Sequence, residues 1–578
     1  ECNKIERQYN TDSKNAHRNI RELIGERSLS NAGCLRDKNG KLIMEKEKIL
    51  QRWEEYIGEL YDDERSELES IVHCEGPSII EQEVVKALKH MKAGKAPGPD
   101  GITSEMIEAL GSFGTHMLTN ILNKIYDSGN IPEDLSKSIF IALPKKTRAT
   151  DCEDHRTISL MSHTTKILLR IIMNRIRSKL KPEIAEEQFG FVEGKGTTNA
   201  IFALRMIIER TLEVSKDLYL CFIDYTKAFD RVRHEEMVEL LKNLNIDTKD
   251  LRIIKNMYWE QTAALRMDNN LTKFQQIKRG VRQGCVLSPD LFSLYSEFIM
   301  RSIEELPGIK IGGQNINNLR YADDTVLISE EETDLQALLN IVVKASENKG
   351  LNLNIKKTET MVITKKASIP QCKIMINNTV LNQVNKFKYL GTIITSDGRC
   401  DTEIKSRIAQ AKCAFMKMKS ILTNKSVSIE TRKKVLQCYI EPILLYGCEA
   451  WTLNKKTTKY LESAEMWFYR RMQRIAWTEK ITNVEVLKIV NAKRGILIKI
   501  KKRKSTFVGH IMRKEKLESI IVTGKLEGKR CRGRQRRKIL DDIKEWHGKT
   551  STAELLSFAK RKDMWKDMIA YAIRHGTI

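Results

Sequence analysis

Over the first 75 residues apolar positions are sparse, and Leu50, Trp53, Tyr56, Ile57, Leu60 and Tyr61 recur at helical spacing. The pattern predicts a charged, helical lead-in over residues 1–75 rather than an independent globule. Ile80, Val84, Leu88 and Met91 mark the next apolar helix face, and Gly94, a residue type common just past a helix C-terminus, predicts its stop. Lys95-Ala96-Pro97-Gly98-Pro99-Asp100-Gly101 must be loop, since its prolines and glycines deny it both helix and central strand. Ser104 then caps a second helix with Met106, Ile107 and Leu110 on its apolar side.

From about 138 to 395 short apolar runs alternate with longer helical patterns, which predicts a mixed α/β unit. Ser138 to Leu143 reads as a strand, Leu160 to Arg177 and Thr198 to Val214 as helices, and Leu218 to Ile223 as a buried strand. Beyond 400 the pattern is almost wholly helical: Ile404 to Leu422, Ile429 to Tyr439 and Lys456 to Ala476. No internal repeat of fixed period interrupts it.

Charge changes the picture. The 578 residues carry 100 Lys+Arg against 75 Asp+Glu, a formal net charge of +25, with 41% apolar residues and 10 prolines. Such a chain can bury large cores, and its charge surplus points to a polyanionic partner. No apolar run approaches the ~20 residues that span a bilayer, so no membrane partner is expected. The 12 cysteines lie far apart without zinc-ligand spacing, which predicts free thiols in a reducing, intracellular setting. The chain begins at Glu1 without Met or a signal pattern, which suggests a fragment of a longer reading frame.

Two acidic sites interrupt the apolar pattern. The run Cys221-Phe222-Ile223 leads straight into Asp224, and Asp323-Asp324 sit between two strand-like runs, at the tip of a hairpin. A carboxylate at the end of a buried strand is costly unless paired or metal-bound. Three converging carboxylates would repel one another, and divalent cations relieve that repulsion. Taken singly, each site has a structural alternative: Asp-Asp suits a turn, and Asp224 could cap the turn that follows it.

In order along the chain these residues resemble reverse transcriptases of non-LTR (LINE-type) retrotransposons, over about residues 76–575. Lys95 to Gly101 resembles the loop upstream of the fingers, and Ile139 to Lys146 and His155-Arg-Thr-Ile-Ser-Leu160 resemble fingers motifs. Gln188-Phe-Gly-Phe191 precedes the first palm motif, Phe222 to Asp230. Gly280 to Pro289, Tyr321-Ala-Asp-Asp324, Asn354 to Thr358 and the primer-grip-like Phe387-Lys-Tyr-Leu-Gly391 follow.

The resemblance implies an α+β right-hand polymerase with an antiparallel palm sheet. Its parts would be the lead-in (1–75), an N-terminal extension (76–136), fingers and palm (137–395), a helical thumb (396–480) and a basic nucleic-acid-binding region (481–578). It implies an RNA-directed DNA polymerase that adds dNTPs to a DNA primer or target 3′ end on an RNA template, in target-primed retrotransposition. Two Mg²⁺ ions, with Mn²⁺ as a substitute, would be held by Asp224, Asp323 and the Ile223 carbonyl, with Asp324 a supporting acid. Phe229 would be the gate against a ribose 2′-OH, Gln283 and Gly284 the loop beneath template and nucleotide, Arg156 and Lys145 triphosphate binders, and Lys357 the proton donor to pyrophosphate. Tyr389, Leu390 and Gly391 would touch the primer.

Thr157 stands where the family usually has Pro, and Val192 where a basic residue is usual. These departures leave open a catalytically degenerate RNA/DNA-binding protein. A mobile-intron enzyme would need a maturase or HNH-like tail, which is not recognisable here. No endonuclease constellation is recognisable in residues 1–75, so the chain is expected to polymerise without nicking.

Between 491 and 540 there are 18 Lys+Arg and 3 Asp+Glu, a local net charge of +15. Its densest runs predict nucleic-acid contacts at Lys501, Lys502, Arg503, Lys504, Lys529, Arg530, Arg532, Arg534, Arg536 and Arg537. The same runs could address the chain to the nucleus for integration, after assembly with RNA in the cytoplasm.

Overall fold

Strand Leu218–Ile223 is buried on both faces, and the rest of the fold is arranged around it. Leu218, Leu220 and Phe222 face one core, while Cys221 and Ile223 face another, as the two-residue period of a strand requires. Burial of side chains such as Leu220 and Phe222 contributes about 1.5–3 kcal/mol each. The computed structural model describes residues 13–24, 33–67, 71, 75–146, 148–530 and 535–574.

The palm sheet has the order Asn318–Tyr321, Asp324–Ser329, Leu218–Ile223, Glu359–Ile363, Asn382–Gln383. It is antiparallel except at the last pair, which is parallel. Helix Glu332–Asn348 covers one face with Leu335, Leu338, Leu339 and Val342. Beneath the other lie helix Thr197–Glu213 and the hairpin Lys386–Tyr389/Thr392–Thr395, whose Phe387 stacks on Phe222 with centroids 3.9 Å apart.

A second sheet has the order His155–Leu160, Lys137–Pro144, Thr262–Met267, Asn270–Leu271, with Gln275–Gln276 also paired to Thr262–Met267. The charged lead-in belongs to this unit. Helix Lys46–Tyr61 packs Trp53, Tyr56 and Leu60 against Phe140, Ala263 and Leu265. Its last carbonyls, on Leu60 and Tyr61, accept from Arg279 Nε (2.9 Å) and Lys278 N (3.0 Å). A two-residue strand pair, Leu35–Arg36 with Leu42–Ile43, precedes it and is too short to show a period in the sequence.

Some boundaries move. The helix expected to reach Gly94 ends at Lys89, and Thr103, not Ser104, caps the next helix by accepting from Met106 N. The run expected as one helix over Ile404 to Leu422 is broken at Met418. The Ile429 helix widens into a π turn at Leu436–Ile440 ahead of Pro442, which lacks the N–H an α-helix would direct to residue 438. Helices Lys455–Gln473 and Ile496–Lys514 continue the core that underlies the palm. Among the described residues no helix is long and apolar enough to cross a membrane.

Candidate active site

The register of the palm sheet brings the carboxylates together. Thr325 pairs with Ile223, so the next residues outward on those strands are Asp324 and Asp224. Asp323 occupies the turn between Asn318–Tyr321 and Asp324–Ser329. Ala322 in that turn has φ +58°, a conformation disfavoured for a residue with a Cβ. Gln188, fully buried, holds it: its Oε1 accepts from Ala322 N (3.1 Å) and Gly190 N (2.8 Å). A Cβ at Gly190 would stand 2.3 Å from Ala322 N, so glycine is required for this approach.

Burial pushes Asp324 up to about 6, with Asp323 and Asp224 adding their repulsion. Burial also raises Asp323, helped by Asp224 and opposed by its own backbone N–H and by Arg156. Asp224 Oδ2 is buried without a hydrogen-bond partner; Lys357 Nζ, its ion-pair partner, lies 3.7 Å away, too far for one. Among the described residues no three His, Cys, Asp or Glu side chains form a closed metal-ligand group. An orphaned carboxylate oxygen beside a second carboxylate nevertheless suits a hard cation that takes its remaining ligands from substrate phosphates and water. Ile223 contributes no side chain, since its own is buried towards helix Glu332–Asn348; only its backbone carbonyl is left for the expected role.

The cleft above these residues has a volume of about 990 Å³ and is lined by Asp224, Asp323, Asp324, Lys357, Phe229, Gln283, Gly284, Arg156 and Lys145. Residues expected from six separate sequence segments therefore share one cavity. Phe229 is half-buried, stacked on Phe292 (centroids 4.1 Å) and edge-on to the exposed Phe191 (6.1 Å). Gly284 has φ +108°, and a Cβ there would press to 3.2 Å on Ser159 O. Lys145 Nζ donates to Glu153 O (2.9 Å); burial lowers its pKa, Asp230 opposes this, and the neighbouring Lys357 and Arg156 add to it. Three cations facing one cleft form an anion site beside the carboxylates.

Sequence reasoning missed several residues around this cavity. Gln188 stands in the Gln188-Phe-Gly-Phe191 motif, which carries no sign that it anchors the Ala322 turn. Lys227, at φ +52°, sits 4.3 Å over the Tyr56 ring and is pulled down to about 8 by burial. Asp230 is buried and bonded to Tyr61 from the lead-in. No short motif connects residues so far apart.

Other expectations need correction. Tyr389 is 2% exposed and packs against Phe222, so its side chain cannot lie on a primer. The turn it enters can: Leu390 (φ +45°) and Gly391 (φ +82°) form a half-exposed two-residue hairpin turn, held by Tyr446 Oη to Leu390 O (2.8 Å) and by Arg407 to Gly391 O.

Much of the basic C-terminal charge is spent internally. Lys504 is fully buried and paired with Asp542 at 2.8 Å, so it is no nucleic-acid contact. Arg536 donates to Asp397 O and Gly398 O, both at 2.6 Å, and Arg537 to Asp542 and Glu545, both at 2.6 Å. Arg530 pairs with Glu213, and Lys501 covers the Trp546 ring. Lys502, Arg503 and Lys529 are exposed; Arg503 remains 3.9 Å from Glu449. Arg532 and Arg534 lie outside the described residues.

A family model described as reverse transcriptase (RNA-dependent DNA polymerase) matches residues 143–394. The Pol polyprotein of the type-1 retrotransposable element R2 of Nasonia vitripennis is 26% identical over 328 residues, 55% of this chain and 31% of that protein. The RNA-directed DNA polymerase from the mobile element jockey of Drosophila funebris is 26% identical over 387 residues, 65% and 42% of the two chains. The R2 polyprotein of Popillia japonica is 25% identical over 391 residues, 66% and 53%. The chain thus spans about a third to a half of these relatives. Apo telomerase from Candida Tropicalis superposes with a TM-score of 0.35 at 15% identity, covering 71% of this chain and 74% of that one, and this likeness carries no argument.

Proposed function

For a chain that carries a reverse transcriptase domain related to those of non-LTR retrotransposons, we propose an RNA-directed DNA polymerase that extends a DNA 3′ end on an RNA template. The observation that carries the reading is the single cleft in which Asp224 and Asp323, with an orphaned carboxylate oxygen, face the cations Lys145, Arg156 and Lys357.

In the reaction the primer 3′ oxygen attacks the α-phosphorus of the incoming dNTP, and the bond to pyrophosphate breaks. Asp224 and Asp323 would hold divalent cations, Mg²⁺ or Mn²⁺, which would acidify the 3′ hydroxyl and neutralise the departing phosphates. Lys145 and Arg156 bind the triphosphate, and Lys357, exposed beside Asp224, donates a proton to the pyrophosphate. Phe229, fixed between Phe292 and Phe191, presents its ring to the sugar and excludes a 2′-hydroxyl. Gln283 and Gly284 form a floor without a side chain at Gly284, close to which base and template can pass.

The duplex product leaves past the Leu390-Gly391 turn. A groove of about 700 Å³ between the π turn and helix Ile496–Lys514 is lined by Lys499, Lys502, Arg503 and Arg513, and by Glu441, which pairs with Lys499 (2.5 Å), and Glu449, which approaches Arg503 (3.9 Å). The exposed Lys502 is the cation there that suits a phosphate backbone. Target-primed retrotransposition is the setting we infer for this activity.

The test is incorporation of labelled dNTP by the purified chain on an RNA template with a DNA primer. Incorporation should require template, primer and divalent cation together. Incorporation that ignores the template would refute the reading.

A further inference from the structure

Asp230 occupies a junction that the proposed chemistry does not use. It is buried directly after Phe229, and the two loops of the nucleotide pocket are strapped together around it. Gly280 N donates to Val232 O (2.7 Å) and Val281 N to Phe229 O (2.8 Å). A Cβ at Gly280 would stand 2.8 Å from Asp230 O, so the loops approach as closely as a glycine allows. Gln283 is fixed at both ends: its carbonyl accepts from Ser159 N (2.8 Å), and its Nε2 donates to Asp230 Oδ1 (3.3 Å).

The same Oδ1 accepts the proton of Tyr61 at 2.9 Å. Tyr61 has one proton and it is committed there, so the Thr157 hydroxyl, 3.2 Å away, donates to the Tyr61 oxygen. Thr157, the departure from the usual Pro, is therefore a working member of this chain of hydrogen bonds. Tyr61 is itself immobilised: its ring packs on Phe140 and its carbonyl accepts from Lys278 N. Burial raises the pKa of both groups, and Asp230 adds to the rise at Tyr61; for Asp230 the Tyr61 hydroxyl, Lys227, Lys145 and Gln283 work in the opposite direction.

We propose that Tyr61, which lies outside the matched residues 143–394, is a positioning residue for the incoming nucleotide. Through Asp230 it holds Gln283 and the adjacent Phe229 in the arrangement that receives base and sugar. The inference rests on the polymerase reading of the cleft. It makes the lead-in helix Lys46–Tyr61 part of substrate selection, not only of the fingers core.

Tyr61→Phe keeps the ring and removes the hydroxyl. Losing that hydrogen bond should raise the KM for dNTP about tenfold or more. If the role is positioning, kcat should change less than about twofold, because the groups acting in the transition state are untouched. Discrimination against the matching rNTP should fall as well, since Phe229 immediately precedes Asp230 in the chain and moves with it.

The decisive comparison uses Gln283→Ala. If Tyr61 acts through Gln283, adding Tyr61→Phe to that variant should raise KM much less than it does in the parent. Additive effects, a loss confined to kcat, or an unchanged KM would overturn the proposal. Equilibrium binding of a fluorescent mant-dTTP to parent and Tyr61→Phe separates this outcome from failure of the polymerase reading. A parent that binds the nucleotide but does not extend a primer refutes the reading alone, and a tenfold weaker Tyr61→Phe still supports the inference. Equal binding by the two, or no binding by the parent, overturns it.

Discussion

Lys504 lies in the densest basic run of the chain, and its replacement should damage stability, not nucleic-acid binding. Its Nζ is 2.8 Å from Asp542 Oδ2, donates to Trp451 O and sits over the Trp546 ring at 5.1 Å. Lys504→Met keeps the stem and removes the charge. Breaking a buried ion pair costs about 3–5 kcal/mol when the partner is stranded. Here Asp542 keeps Arg537 at 2.6 Å and the Leu453 N–H at 2.9 Å, so about 3 kcal/mol is expected. At about 2–4 °C per kcal/mol for a unit of 150–250 residues, the C-terminal transition should drop by about 6–12 °C. Calorimetry measures that shift, and titration of oligonucleotide affinity against salt measures the other half. Lys502→Ala, at an exposed neighbour, should melt within about 1 °C of the parent and reduce the salt slope by about one. A Lys504→Met chain that melts like the parent while flattening its salt dependence would refute this assignment.

Gln188→Ala removes the acceptor from two N–H groups at the Ala322 turn, each costing about 1–3 kcal/mol. Single-turnover incorporation should slow by about a hundredfold, and an unchanged rate would show that the turn holds itself. Phe229→Val should lower the dNTP-over-rNTP preference in kcat/KM by about 10–100-fold; an unaltered ratio would remove Phe229 from sugar selection. Glu209 is pushed up to about 7 by burial, opposed by the Ile539 N–H and by Arg210, Lys504 and Lys538. Folding therefore takes up a proton between its ordinary value of 4.5 and about 7, and this contribution to stability, full below the window, is lost as pH rises through it. Glu209→Gln, which can still accept from Ile539 N, should gain melting temperature over the parent at pH 8 relative to pH 5. An equal difference at both pH values would contradict this.

The carboxylate cluster was legible because its chemistry is local. A run of six strand residues leading into Asp224, and two Asp between apolar runs, state both their burial and their charge. Antiparallel pairing then brings them together with little freedom. The helical lead-in was legible as a helix but not as a neighbour, because its apolar stripe does not name the sheet it covers. For the same reason the Tyr61–Asp230 contact, across 169 positions of chain, was out of reach. Lys504 was a different failure. Ile500, Lys504, Val508 and Ile511 follow one helical stripe and are all buried. That register could have separated Lys504 from its neighbour Lys502, whereas a count of basic residues treats them alike.

The polymerase reading stands or falls on whether the cleft over Asp224 and Asp323 makes DNA on RNA. Primer extension on poly(rA)/oligo(dT) with dTTP and Mg²⁺, run on the parent chain and on Asp323→Ala, tests this directly. The parent should extend the primer, and the variant, melting within a few degrees of it, should be slower by about a thousandfold, on the order of 4 kcal/mol of transition-state stabilisation. A parent inactive with both Mg²⁺ and Mn²⁺, or an Asp323→Ala chain as active as the parent, would contradict it.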